Sequence, residues 1–237
     1  MTRSRNHSLP VGSPPRLVAT ESSARLCMAA ILGYVAGTLP SSQMATKLAG
    51  RVDLDLTNDG TGNPGGMNTS HLLGKKWGVA VTVADAGKAA AAARIGLRLA
   101  GGRGANLAAT SAVIGHCYPP KRRGGKGVAT SLGQVAATFP VYLPIDMAVG
   151  ISTAAFPWFR QRTRVATGLA SATWVSCSLI WWRRKLRNPG GVEPTVSLPA
   201  AAIVSSLVIA KRFQEEAARV DDFNRAELPI DRQDSPT

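Results

Sequence analysis

The spacing of charge constrains this chain most. Long runs carry none, and short basic clusters separate them. Residues 26–46 are 21 positions without a charge, residues 165–182 are 18, and residues 196–210 are 15. Residues 128–159 run 32 positions with Asp146 as their one charge and Pro140, Pro144 and Pro157 inside. Residues 77–100 are Ala/Val-rich but hold Asp85, Lys88, Arg94 and Arg98, while residues 105–120 hold His116 alone among titrating bases. A helix needs about 20 predominantly apolar residues to cross a bilayer. The other reading is a soluble bundle of buried Ala-rich helices. That bundle needs polar faces repeating every 3.6 residues, which residues 26–46 and 165–182 do not supply. The expected fold is therefore an all-α, polytopic transmembrane helix bundle with about five to seven membrane segments.

Composition agrees once it is divided this way. The 28 Lys+Arg against 14 Asp+Glu give a net charge of +14, yet only 18% of residues are charged, below the ~25% of ordinary globular chains. The charge belongs to ends and loops. Residues 1–25 read as a disordered basic tail, residues 26–210 as one integral-membrane domain, and residues 211–237 as a polar C-terminal tail that starts as a short helix. A secretory signal's apolar core does not follow the basic start. Cys27, Cys117 and Cys177 form no CxxC pair and staple nothing. Trp77, Trp158, Trp181 and Trp182 sit at segment ends, where the lipid–water interface favours them. The basic loops lack interleaved aromatics, which argues against nucleic acid.

Polar or Gly-rich backbone inside such a chain marks a site. Asp59-Gly60-Thr61-Gly62-Asn63-Pro64-Gly65-Gly66-Met67-Asn68 can turn successive N–H groups into one anion-binding concavity, with Thr61, Asn63 and Asn68 as neutral donors. Its G-x-G-x-x-G string is not a dinucleotide fingerprint, because Pro64 interrupts it and Asp85 falls in an apolar helical stretch. Gly124-Gly125-Lys126-Gly127, preceded by Lys121, Arg122 and Arg123, makes a cationic loop. It is not a P-loop, since Gly127 stands where Ser/Thr is required. Asp85 and Lys88, three apart, share a helix face and can pair. His116 ends an uncharged segment just before the cationic loop, a position suited to a proton acceptor.

These residues together resemble the bacterial acyl-phosphate:glycerol-3-phosphate acyltransferases, small polytopic membrane enzymes. Gly37-Thr38-Leu39-Pro40 resembles the family's G-S-I-P, and Gly60 to Asn68 its G-S-G-N-x-G-A-T-N. Asp85-x-x-Lys88 resembles its D-x-x-K-G. Gly115-His116-Cys117-Tyr118-Pro119 and Gly124 to Thr130 resemble its second loop, and Thr163-Arg164 with Leu169-Ala170-Ser171 its T-R-Y-V-S-L-A-S. The resemblance implies transfer of an acyl group from acyl phosphate to glycerol 3-phosphate, giving lysophosphatidic acid and phosphate for phospholipid biosynthesis. It implies a multi-pass protein of the bacterial cell membrane whose partners are these two substrates and the lipid bilayer, with no nucleic acid, cofactor or metal.

On that resemblance, Thr61, Gly62, Asn63, Gly65 and Asn68 bind acyl phosphate. His71, Arg123, Lys126 and Thr167 bind glycerol 3-phosphate. His116 and Lys126 are catalytic, and Asp85 and Lys88 support them. Direct transfer needs no acyl-enzyme, because the mixed anhydride already carries a good leaving group, so positioning and charge stabilisation suffice. The chain departs from the family pattern at His71, where arginine is usual, in a second loop two residues shorter, and at Lys211-Arg212-Phe213-Gln214, where R-H-R-x-N is not recognisable. The alternative these departures raise is an inactive membrane relative that binds lipid phosphates or regulates lipid synthesis.

Overall fold

A computed structural model describes residues 16–156 and 163–226; among them every regular element is helical. Helix α1 (Arg16–Gly37) leads through Pro40 into α2 (Ser41–Leu48). After a loop come α3 (Gly66–Leu73) and the long α4 (Lys75–Cys117), then α5 (Val128–Thr138), a 3-10 turn (Pro140–Tyr142), α6 (Leu143–Ala155), α7 (Thr163–Arg184) and α8 (Ser197–Ala226).

α4 is a hairpin. Ala100 (φ −146°, ψ 32°) and Gly101 (φ 61°) leave helical geometry, and Gly101 occupies the left-handed region that glycine enters at little cost. The two arms run back along each other, with Gly96 against Gly104 and Asp85 near His116. α1 lies parallel to the second arm. Gly33 and Gly37 press on the backbone of Ala108 and Ala112, so closely that a β-carbon at either glycine would overlap it. The resulting core of Ala29, Ala89, Ala92, Ala108 and Ala112 is built of small residues. Large apolar side chains instead face outward: Ile31 is 63% exposed, Val83 64% and Leu207 65%. Small residues inside and large ones outside is the arrangement of helices packed in lipid.

α5 and α6 meet at 116° across Phe139-Pro140, where proline's missing N–H and fixed φ break the helix. A second apolar cluster, Val135, Phe139, Tyr142, Trp174, Leu198 and Ala202, joins α5, the 3-10 turn, α7 and α8. Buried Gln134 donates to Thr110 Oγ1 at 3.0 Å and accepts from Ser205 Oγ at 2.8 Å, tying α5 to α4 and α8.

Among the described residues, one stretch, Ser23–Leu48, is long and apolar enough to cross a membrane alone. Val128–Thr138 with Pro140–Thr153 qualifies only as a bent pair. The arms of α4 carry Arg94, Arg98 and Arg103 near their turn, which lowers the average of stretches that the charge gaps suggested were spans.

Two boundaries drawn from charge move. Residues 16–25, expected in a disordered tail, form the first turns of α1, and residues 1–15 lie outside the described residues. Residues 211–226 are no tail but the continuation of α8. The polarity of residues 211–219 reflects one face docked on loops through Arg212, Glu216 and Arg219 rather than full solvation. Residues 227–237 lie outside the described residues.

Candidate active site

The Gly60–Asn68 loop is organised around one side chain. Asn68 is 1% exposed; its Nδ2 donates to Leu56 O (3.2 Å) and Asp59 O (2.9 Å), and its Oδ1 accepts from Thr61 N (2.9 Å). Expected as an acyl-phosphate ligand, Asn68 in this structure holds the loop backbone with its amide. Gly60 (φ +64°) packs so tightly on Asn68 Oδ1 that a side chain there would collide with it. Asn63 Oδ1 is buried with no hydrogen-bond partner. Gly65 caps α3, whose first N–H groups have no side-chain cap. Thr61 is exposed and its carbonyl accepts from Arg219 Nη2 at 3.1 Å. That guanidinium also lies against Gly62.

Deeper between the arms of α4, Lys88 Nζ is 2.7 Å from Asp85 Oδ1 and donates to Leu39 O at 2.7 Å. Three hydrophobic elements therefore converge on one buried charge pair, and the Lys88 bond pins the α1–α2 corner over it. His116 Nδ1 stands 3.6 Å from the same Asp85 oxygen. Its Nε2 faces Gly125, where a β-carbon would fill the space beside the ring.

The basic loop closes this floor. A cleft of about 20 Å³ is lined by Ser41, Ser42 and Gln43 of α2, by Pro64, and by Asp85, Lys88, His116, Arg122, Arg123, Gly124 and Gly125. That is room for about one water. Burial lowers the pKa of Arg122; it lowers that of Arg123 too, reinforced by the nearby Arg219 and Arg212 cations. Two guanidinium groups side by side at the cleft concentrate positive charge there, which attracts an anion.

α8 straps the loops in place. Buried Arg212 donates from Nε to Gly125 O (3.2 Å) and from Nη2 to Gly124 O (2.9 Å), and its Nη1 meets Glu215 Oε2 at 2.6 Å. Glu215 also accepts from Tyr118 OH at 3.1 Å. Burial first, then that carboxylate, push the Tyr118 phenol up to about 12. Lys126 Nζ lies 2.9 Å from Glu216 Oε1 and 4.9 Å from the Phe213 ring centroid.

The structure thus gathers Asp85, Lys88, His116 and Arg123 at one cleft and leaves other expected residues outside its lining. Lys126 pairs with Glu216 and does not line the cleft. His71 is exposed near the end of α3. Thr167 lies on α7, which packs chiefly on α6 and α8. Both lie outside the lining of the cleft. Thr61, Gly62, Asn63 and Gly65 form the loop beside the cleft, whose edge Pro64 supplies. Sequence reasoning missed Ser41, Ser42 and Gln43, although they directly follow the recognised Gly37-Thr38-Leu39-Pro40. It also missed Arg212, Glu216 and Arg219, whose i, i+4, i+7 spacing marks one helix face.

Comparison with known proteins fits this geometry. The family model for glycerol-3-phosphate acyltransferase matches residues 27–221. A glycerol-3-phosphate acyltransferase of Thermoanaerobacter pseudethanolicus is 34% identical over 157 residues, 65% of this chain and 77% of that one. One from Exiguobacterium sibiricum is 39% identical over 113 residues, 47% and 54% of the two chains. The crystal structure of PlsY, an integral membrane glycerol 3-phosphate acyltransferase, in its glycerol 3-phosphate form superposes with a TM-score of 0.64 at 28% identity, covering 83% of this chain and 92% of that one. The fold is that of a membrane protein, and the chain belongs to the glycerol-3-phosphate acyltransferase family.

Proposed function

We propose that this protein is a multi-pass enzyme of the bacterial cell membrane that moves an acyl group from acyl phosphate to a hydroxyl of glycerol 3-phosphate. The observation that carries the reading is the cleft itself: a buried Asp85–Lys88 pair with His116 beside it, roofed by two arginines that burial disfavours. Family membership and the related structures in glycerol 3-phosphate and lysphosphatidic acid forms support it.

In this reading the acceptor hydroxyl attacks the acyl carbon, and the C–O bond to phosphate breaks as the new ester C–O bond forms. The hydroxyl proton passes to His116 or to the departing phosphate. Arg122, Arg123 and the N–H groups at the start of α2 hold phosphate charge. The Gly60–Gly66 backbone, fixed by Asn68 and Arg219, faces the acyl phosphate, with Asn63 as a side-chain donor. Lys126 joins by exchanging Glu216 for a phosphate oxygen. Lys88 pairs with Asp85, and Asp85 steadies the imidazole. Binding opens the cleft, since its resting volume admits neither substrate. The acyl tail lies among the outward-facing apolar side chains.

Phosphate release from palmitoyl phosphate and glycerol 3-phosphate, with product lysophosphatidic acid followed by mass, tests this on the purified protein. Turnover is expected with palmitoyl phosphate and not with palmitoyl-CoA, and Arg123→Ala should lose about 100-fold in kcat/KM. A wild-type protein that binds both substrates yet forms no lysophosphatidic acid would sink the proposal and favour a non-catalytic binder.

A further inference from the structure

Outside the inner cleft lies a larger cavity of about 450 Å³, between α2, the segment 52–57 and the tip of the basic loop. That is ample for a small ligand. Its wall carries Lys47, Lys121, Arg122 and Arg123 against a single carboxylate, Asp55. Asp55 does not face these cations as a partner: its Oδ1 accepts from the backbone N and the hydroxyl of Thr57, and its Oδ2 from Asn58 Nδ2. These bonds, those from Thr57 first, lower its pKa from the ordinary carboxyl value. None of the four cations forms an ion pair with a described residue. Lys121 is also held at φ +60°, a conformation that side chains rarely adopt. Like charges crowded in one cavity, with no ion-pair partner among the described residues, form a site for an anion.

The two cavities share Gln43, Arg122 and Arg123, and Arg122 Nη1 donates to Gln43 Oε1 at 3.3 Å across the division between them. We propose that the outer cavity is a staging site for a phosphate dianion, separated from the inner cleft by the Arg122–Gln43 bridge. The inference rests on the phosphate-substrate reading above. Its ligand chemistry fits either an incoming phosphomonoester or outgoing inorganic phosphate. A phosphate on Lys47 and Lys121 would draw Arg122 from Gln43 and so join the two spaces.

Phosphorus-31 line broadening of glycerol 3-phosphate, and separately of inorganic phosphate, reads binding without turnover on full-length protein in zwitterionic nanodiscs. Lys47→Gln combined with Lys121→Gln, both exposed positions, should weaken binding of at least one probe by about 3- to 10-fold. Loss confined to glycerol 3-phosphate assigns the site to the acceptor; loss with inorganic phosphate assigns it to the product as well. The control Lys75→Gln with Lys76→Gln removes the same charge from exposed residues outside the cavity and should change neither. No loss in the cavity variant, or an equal loss in the control, overturns the proposal. Turnover measured in parallel separates the two readings. A wild type that fails to turn over but binds phosphate through Lys47 and Lys121 refutes the transfer reaction and leaves the staging site standing.

Discussion

Asn68→Ala discriminates between a ligand and a clamp. The side chain makes three hydrogen bonds to the backbone of its own loop, at 2.9, 2.9 and 3.2 Å, and is buried. At about 1 kcal/mol net for each, the alanine variant should lose about 3 kcal/mol. For a chain of this size that corresponds to a fall of about 6–12 °C in Tm, on the scaling of about 2–4 °C per kcal/mol. Asn68→Asp keeps the volume and the acceptor but turns a carboxylate oxygen toward Leu56 O and Asp59 O, so it should melt no higher than the alanine variant. The assay is thermal unfolding of detergent-purified protein followed by tryptophan fluorescence, paired with KM for palmitoyl phosphate. Both should worsen together, because the loop that loses its clamp is the loop assigned to the acyl phosphate. An unchanged Tm with abolished activity would refute the clamp and return Asn68 to direct substrate contact.

Glu216→Gln releases Lys126, whose pairing with Glu216 is partly buried; KM for glycerol 3-phosphate should fall about threefold to fivefold, and an increase would show that Glu216 holds Lys126 in its working position. At Glu215, burial alone would raise the pKa, but hydrogen bonds from Arg212 and Tyr118 outweigh it and the net shift is downward from 4.5. A depressed carboxyl stabilises the fold above its unfolded pKa, and that contribution disappears as pH falls through the folded value. Thermal melts from pH 6 down to pH 3 should therefore show an acid limb below about 4.5 that Glu215→Gln flattens; an identical limb in the variant would place the acid sensitivity elsewhere.

What the chain discloses in advance follows the range of the forces involved. Charge-free runs mark helices because lipid-facing surface is a local, additive property, and residues 26–46 declare themselves without knowledge of any partner. The hairpin within α4 was half legible: Gly101 and Gly102 announce a break, but the antiparallel return brings Asp85 beside His116, 31 residues later, a contact no local window contains. Asn68 shows the harder limit. An amide in a glycine-rich loop looks the same in sequence whether it binds substrate or backbone, and only the folded carbonyls of Leu56 and Asp59 decide the matter. Residues 211–226 show a third case. Their polarity was read as solvation, yet Arg212, Glu216 and Arg219 reach loops 87 to 158 residues earlier in the chain. A polar stripe at helical spacing is therefore as good a sign of a docked face as an apolar one when its partners are loop carbonyls and a loop lysine. In this protein that stripe determines where Lys126 points and how the Gly60–Gly66 loop is held, so the chemistry assigned to the two loops depends on a helix that contributes no side chain to the cleft.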